Sequence, residues 1–247
     1  MVVIAVYSAK GGVGKTTLAV DLAWRCAVQG GHRTLLWDLD PQGGSGFLLN
    51  MPEPDQPRAA SVFQREGRPA RLVAPTAWPG LSLLAADESL RALPLHLARL
   101  GHKRRLAGLT RELSAQFGRI MLDCPPMRNE VSEQVLAAAD LVIVPLPPSP
   151  LSARALAHVR RDLSGSDGWH PPLLPVLSMV DARRKAHREA LAGPLRAFPA
   201  IPWASAIEQT AYRRAPIGSF APNSEPSRAM ERVWRAIEFK LHEEMAA

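Results

Sequence analysis

The chain has 247 residues, 47% of them apolar and 21% charged, which suits one sizeable α/β domain with a core of its own. Lysine and arginine total 30 against 23 acidic residues, a net charge of +7 compatible with a polyanionic partner and equally with a plain arginine-rich surface. No run of about 18 apolar residues offers a membrane span, and Met1 leads so directly into an apolar run that no signal peptide fits before it.

Strands and helices alternate along the chain. Val2 to Tyr7 is a β-branched apolar run and reads as a buried strand. A helix is expected from about Lys15 to Gln29, stopped by Gly30-Gly31. Thr34 to Trp37 is a second strand, ending on Asp38. Residues 50–80 are rich in Pro, Arg and Ala and read as a loop with one short helix. Leu81 to Ala85 is a strand, and Glu88 to Gln116 is largely helical with a break at Pro94 or Gly101. Ile120 to Leu122 is a short buried strand ending on Asp123. A helix over Val131 to Ala139, a strand over Leu141 to Pro145, a helix over Leu151 to Leu163 and a strand over Leu173 to Met179 follow. Pro175 suggests an edge or a strand start, because proline cannot donate to a ladder. Arg184 to Phe198 and about Ser227 to Met245 are helical. The alternation argues an α/β fold: a mostly parallel twisted sheet with helices on both faces, in a single domain over residues 1–247. Cys26 and Cys124 sit in apolar surroundings outside any C-x-x-C pair, which fits buried free thiols in a reducing cytoplasm better than a zinc or cluster site.

Residues 9 to 17 read Ala-Lys-Gly-Gly-Val-Gly-Lys-Thr-Thr, directly after the first strand. Glycines let the backbone curl with its N–H groups inward. The helix then begins near Lys15, so amide donors, a helix N-terminus and a lysine converge on an anion. That cradle suits polyphosphate bound by Gly11, Gly12, Val13, Gly14, Lys15, Thr16 and Thr17, with the Thr16 hydroxyl placed for Mg²⁺. The pattern is G-x-x-x-x-G-K-[ST] with Ala9 in place of the first glycine. In open α/β sheets ligands gather at the carboxyl ends of strands, so Asp38, Asp40 and Asp123 should face this loop. Asp-Pro-Gln-Gly, residues 40–43, is also good turn chemistry in its own right.

The octapeptide Lys10 to Thr17, K-G-G-V-G-K-T-T, resembles the deviant Walker A motif of the ParA/MinD ATPases at every position. L-L-W-D-L-D-P-Q-G resembles that family's D-x-D-P-Q-G segment. L-D-C-P-P resembles its switch segment, although Met127-Arg128-Asn129-Glu130 follows where small and leucine residues are common. The resemblance implies a P-loop NTPase that uses ATP and Mg²⁺. It implies that Lys10 reaches in trans to the partner's nucleotide in an ATP-sandwich homodimer, and that Lys15 holds the β/γ-phosphates. Asp40 would position the attacking water, with Asp38 and Asp123 supporting the Mg²⁺ shell. V-L-S-M-V-D-A-R-R resembles the segment before the family's DNA-facing helix, which would bring Met179, Asp181 and, after the next strand, Pro202 near the nucleotide base. Ordinary core and loop residues are the alternative there.

Family members that bind DNA nonspecifically use C-terminal basic residues brought together by dimerisation. Here Arg183, Arg184, Lys185 and Arg188, with His187, open a helix, and Arg213-Arg214 lie in a later loop. Phosphate contacts need charge and no base-reading geometry; a solvated helix face is the competing reading. The last helix places Met230, Val233, Trp234, Ile237, Leu241 and Met245 on one stripe. MinD relatives end in a basic membrane helix, but Glu243-Glu244 would be repelled by anionic lipid, so packing on the sheet without stable membrane insertion is expected. The chain thus resembles a stand-alone ParA-type ATPase, cytoplasmic and nucleoid-associated. It would bind DNA as an ATP dimer, respond to a ParB-like or cargo-adaptor activator, and position or segregate a plasmid, chromosome locus or protein cargo. A MinD-like membrane-surface switch, a biotin- or cobalamin-type P-loop ligase and an iron–sulfur reductase relative are the alternatives. Lys10 with D-x-D-P-Q-G speaks against the ligase, and the cysteine count against the reductase.

Overall fold

The computed structural model describes residues 1–56, 58–64, 67–100, 104–126, 129–163 and 171–246. Among these, eight strands form one sheet: β1 Val2–Val6, β2 Thr34–Asp38, β3 Val73–Pro75, β4 Leu81–Leu84, β5 Arg119–Asp123, β6 Leu141–Leu146, β7 Leu173–Val180 and β8 Ala200–Pro202. Their order is β3-β4-β2-β5-β1-β6-β7-β8, parallel except for β3, which runs antiparallel to β4. The helices are α1 Lys15–Trp24, α2 Gly44–Leu48, α3 Leu93–Leu100, α4 Arg105–Glu112, α5 Glu130–Ala138, α6 Pro150–Leu163, α7 Lys185–Ala192, α8 Ser205–Arg213, α9 Ile217–Phe220 and α10 Glu225–Ala246.

V-V-I-A-V of β1 and L-V-I-V-P-L of β6 are continuous apolar runs, as strands covered on both faces require. Side chains alternate between the faces with period two. Val3 and Ala5 join Trp37, Phe63, Leu109 and Val135 on one side. Ile4 and Val6 join Leu18 and Leu22 of α1 on the other, with Met230, Val233, Ile237 and Leu241 of α10. The last helix therefore packs on the sheet, as its stripe predicted. The side chains of Glu244 and Met245 lie outside those described. Cys26 and Cys124 are both free and buried.

The helix after β1 does run to Gln29, but its last turn, Arg25–Gln29, is π-helical, and Gly30 N–H donates to the Arg25 carbonyl at 2.8 Å. Beside this wide turn lies a buried ion pair, Arg25 Nε to Asp21 Oδ2 at 2.7 Å, each side chain 1% exposed. Arg25 Nη2 also donates to the carbonyl and the hydroxyl of Ser227, at 3.0 Å each, and Asp21 Oδ1 accepts from Gly218 N–H at 3.1 Å. Charges leave water only with partners of this kind. The network fastens α1 to α9 and to the start of α10. Gly218 leaves no room there: an added Cβ would lie 2.3 Å from the Trp24 ring.

Several boundaries differ from expectation. Residues 50–80 contain two 3₁₀ turns, Ala59–Phe63 and Pro69–Arg71, and the edge strand β3, whose three residues are too few to show a period. Glu88 to Gln116 divides into a 3₁₀ turn, Glu88–Ala92, then α3 and α4. Pro94 sits in the first turn of α3, where a missing N–H costs no bond, so it starts a helix and does not break one. Gly101 lies outside the described residues. Arg184 to Phe198 shortens to α7 and a 3₁₀ turn, Pro194–Ala197, separated at Gly193. Arg213 is the last residue of α8, not a loop residue, while Arg214 caps that helix in a left-handed turn. β7 is interior, between β6 and β8, despite Pro175. Leu177 N–H donates across to Pro199 O on the β8 side, so Pro175, two residues earlier, turns its missing N–H toward the same side, before β8 begins.

Candidate nucleotide site

β1 ends at the centre of the sheet, and the chain turns through residues 8–14 into α1. Gly12 and Gly14 have φ of 70° and 82°, a region where side chains are strained. Gly14 caps α1 without any side-chain bond, so the first amides of the helix are left for another acceptor. Lys15 is buried, and its Nζ donates to the Lys10 carbonyl at 3.3 Å. Burial lowers the Lys15 pKa, opposed by the negative charges of Asp123 and Asp40. A buried ammonium has three donors to place, and phosphate oxygens suit them. The side chain of Lys10, by contrast, is exposed at the mouth of the loop.

Asp38 and Asp123 are paired in register at the carboxyl ends of β2 and β5, both fully buried. Asp38 Oδ1 accepts from Asp40 N–H and Oδ2 from Ser45 N–H, each at 3.0 Å. Asp123 Oδ2 accepts from Ser45 Oγ at 2.9 Å, while Oδ1 has no hydrogen-bond partner among the described residues. Burial, then the charge of Asp123, raises the Asp38 pKa well above the usual carboxylate value. Burial likewise pushes Asp123 up to about 6, against the hydroxyls of Ser45 and Thr16. Asp40, two residues beyond β2, is half-buried; its Oδ1 accepts from Gln42 N–H at 3.1 Å and its carbonyl from Gly43 N–H at 2.9 Å, so the D-P-Q-G turn forms. Gly44 packs on Thr16, where an added Cβ would lie 3.1 Å from its methyl. A buried carboxylate oxygen left open beside a threonine hydroxyl fits Mg²⁺, which takes one or two protein oxygens and completes its shell with phosphates and water. Asp38, with both oxygens capped by backbone N–H groups, is the less open of the two.

Beside the P-loop lies a pocket open to solvent, bordered by Gly14 and Thr17 and by Ser178, Met179, Pro202 and Trp203. It brings Met179 and Pro202 to the nucleotide loop. Asp181 does not border it. Its carboxylate is held by Arg183, Nε to Oδ1 at 2.9 Å, and its N–H donates to His187 Nδ1 at 3.0 Å. That Arg183 contact holds the Asp181 carboxyl below the usual range.

The basic residues are exposed but unequal. Arg183 is paired with Asp181, and Lys185 stands 3.7 Å from Glu189. Arg188 donates to the carbonyls of Ala182 and Arg183 at 2.9 and 2.8 Å. Arg213 lies over the Phe220 ring at 5.0 Å and Arg214 over Phe47 at 4.5 Å. α7 packs chiefly on the Pro194–Ala197 turn and α8 on α2 and α9, so the two clusters rest on different supports. Ser45, Ser178 and Trp203 are absent from the sequence-derived set. Nothing in their local pattern marks them; only the sheet brings them to the site. Met127 and Arg128 of the switch segment lie outside the described residues.

A family model described as an AAA domain matches residues 1–164. The chromosome partitioning protein ParA of Caulobacter vibrioides is 32% identical over 203 residues, 79% of this chain and 75% of that protein. The chain belongs to the ParA/MinD family of P-loop ATPases. Members of this family are ATP hydrolases. Two solved structures share the ParA/MinD fold. A variant of Cyanothece McdA in complex with ATP superposes with a TM-score of 0.81 at 23% identity, covering 96% of both chains. The cobyrinic acid a,c-diamide synthase of Mycobacterium smegmatis, bound to an ATP analogue and magnesium, gives 0.79 at 26% identity, covering 96% of this chain and 94% of that one. The fold is thus shared with a synthase, and the choice between them rests on the residues of the site.

Proposed function

We propose that this chain acts as one ParA-type ATPase domain that closes an ATP-sandwich homodimer, binds DNA without sequence preference, and positions or segregates a plasmid, chromosome locus or protein cargo. The observation that carries this is the division between two lysines of one loop: Lys15 is buried among carboxylates, and Lys10 stands exposed at the mouth. Lys15 and the amides of residues 11–17 hold the triphosphate. The exposed side chain of Lys10 serves the nucleotide of a second copy. Thr16 and Asp123 would hold Mg²⁺, which when bound neutralises charge on the β- and γ-phosphates. Asp38 keeps Asp40 and Ser45 in place through its two N–H contacts, and the Asp40 carboxylate orients water in line with the γ-phosphate. Positioning and charge neutralisation are most of what phosphoryl transfer asks of a protein.

Arg183, Arg184, Lys185 and Arg188, with Arg213 and Arg214, supply cations that a two-fold dimer doubles, so weak patches act together on DNA. A ParB-like or cargo-adaptor protein stimulates hydrolysis and release, in the cytoplasm on the nucleoid. Burial of the α10 stripe speaks against the membrane-surface alternative, and among the described residues no helix is long and apolar enough to cross a membrane. The test is Asp40→Ala with ATP. It should retain nucleotide, turn it over far more slowly, accumulate as a dimer by light scattering and hold plasmid DNA at low salt. Wild-type turnover removes the role of Asp40. Absence of DNA retention by wild-type protein with ATP removes the nucleoid.

A further inference from the structure

We propose that α2 is a strut that carries metal occupancy at the P-loop to the Arg214 guanidinium on the protein surface, with Phe47 and Asn50 as the positioning residues at its outer end. This rests on Thr16 and Asp123 holding Mg²⁺ beside a bound nucleotide. α2 begins at the metal side. Gly44 packs on Thr16, and Ser45 donates from its N–H to Asp38 and from its hydroxyl to Asp123. The same short segment then reaches the surface. The Arg214 guanidinium lies over the Phe47 ring at 4.5 Å, and Asn50 Oδ1, just beyond the helix, accepts from Arg214 Nη1 at 3.4 Å. Buried carboxylates and an exposed cation are thus joined through Gly44 to Asn50.

Three features suit α2 to this task. A five-residue helix with glycine at Gly44 and Gly46 does not form unaided, so its order depends on the contacts at its two ends. Asn50 and Arg214 have φ of 54° and 49°, left-handed conformations uncommon outside glycine, and their side chains are bonded to each other. Strain of this kind persists only where surrounding contacts over-determine the backbone, and it collects at functional and switching segments. α8 packs on α2 and is capped by Arg214, and Ala215 N–H donates to the Thr210 carbonyl at 3.3 Å, so the seat of the guanidinium is also the end of α8. Phe47 is 48% exposed, a large apolar ring kept at the surface beside the cation. With Mg²⁺ on Thr16 and the open Asp123 Oδ1, the supports of Gly44 and Ser45 are both fixed. α2 is then held more firmly, and with it Phe47, Asn50 and the end of α8. This coupling acts within one protomer and needs no second copy.

Hydrogen exchange of the Ala215 amide reads the end of α8. It is measured with ATP in EDTA and with saturating magnesium ATP, on wild type, Phe47→Ala, Phe47→Tyr and Arg214→Gly. Magnesium should slow exchange in wild type by about fivefold or more, and Phe47→Tyr should keep that response. Phe47→Ala should lose it while still binding Mn²⁺ with ATP in paramagnetic resonance. Arg214→Gly leaves α2 untouched and suits the left-handed cap; it should lose the response too, and it decides the matter where Phe47→Ala does not fold. Cover by a second copy would slow exchange in all four proteins alike. A response equal across the variants therefore overturns the strut, as does a wild-type amide indifferent to magnesium. Wild-type protein that binds no ATP overturns instead the nucleotide site on which the strut rests.

Discussion

Asp38 and Asp123 face each other across adjacent strands, and a single residue ties them together: the Ser45 N–H donates to Asp38 and the Ser45 hydroxyl to Asp123. Ser45 thereby leaves Asp123 Oδ1 as the open acceptor. Ser45→Ala removes a buried hydrogen bond and should cost about 1–2 kcal/mol of stability. Outer-shell partners of a metal typically change its affinity by about 10–100-fold. Mn²⁺ binding to the ATP complex, followed by electron paramagnetic resonance, should fall by that order, while ATP binding in EDTA stays unchanged. Equal Mn²⁺ affinity in the variant would leave Ser45 as packing alone.

Folding raises the Asp123 pKa to about 6 and lifts that of Asp38. A carboxyl whose folded pKa exceeds its unfolded value holds its proton more tightly when folded. Stability therefore falls as pH rises from about 4 to about 6, and stays lower above. Asp123→Asn removes this penalty and should stabilise the ligand-free protein by about 1–3 kcal/mol near pH 7. The melting curves of the two proteins should converge near pH 4. Magnesium ATP should raise the melting temperature of wild type more than that of the variant. A variant less stable than wild type at about pH 8 contradicts this account.

The two lysines of the loop should separate cleanly. Lys15→Ala removes the buried cation and should abolish tight ATP binding in calorimetry. Lys10→Ala leaves the pocket intact and should bind ATP yet remain monomeric by light scattering. A normal ATP dimer from Lys10→Ala would exclude a contact in trans.

Arg184 makes no side-chain hydrogen bond or ion pair among the described residues, and Lys185 has only its 3.7 Å approach to Glu189. They are freer than Arg183 and Arg188, so Arg184→Ala with Lys185→Ala should weaken binding to all DNA sequences alike. The slope of log K against log salt should shrink by about 0.9 for each phosphate that the variant no longer neutralises. ATP turnover without DNA should not change. An unaltered slope would move the DNA-binding face elsewhere.

The P-loop, the acidic strand ends Asp38 and Asp123 and the central strands were legible in the sequence because each is a local signal: an apolar run, then glycines, lysine and threonine, or a strand stopped by Asp. α2 was not legible, since Gly-Ser-Gly-Phe-Leu has poor helix propensity and is held by Asp38 and Asp123 from outside. β3 exists only through its pairing with β4. Ser178 and Trp203 acquire meaning from the approach of β7 and β8 to α1, a relation between positions far apart in the chain. Asp181 shows the converse. Its motif placed it near the base, yet a neighbouring arginine two residues on claims its carboxylate.

The Arg25 network has a consequence for dissecting this protein. The matched AAA domain stops at residue 164, which invites expression of that segment alone. Such a fragment would strip β6 of its β7 neighbour, leaving a long apolar strand with unpaired backbone. It would also strand the guanidinium of Arg25 without Ser227, and Asp21 without Gly218, on the very helix that begins at the phosphate loop. The minimal working unit is therefore set by α10 and not by the motif-bearing half, and a shorter fragment should aggregate before it can be asked whether it binds ATP.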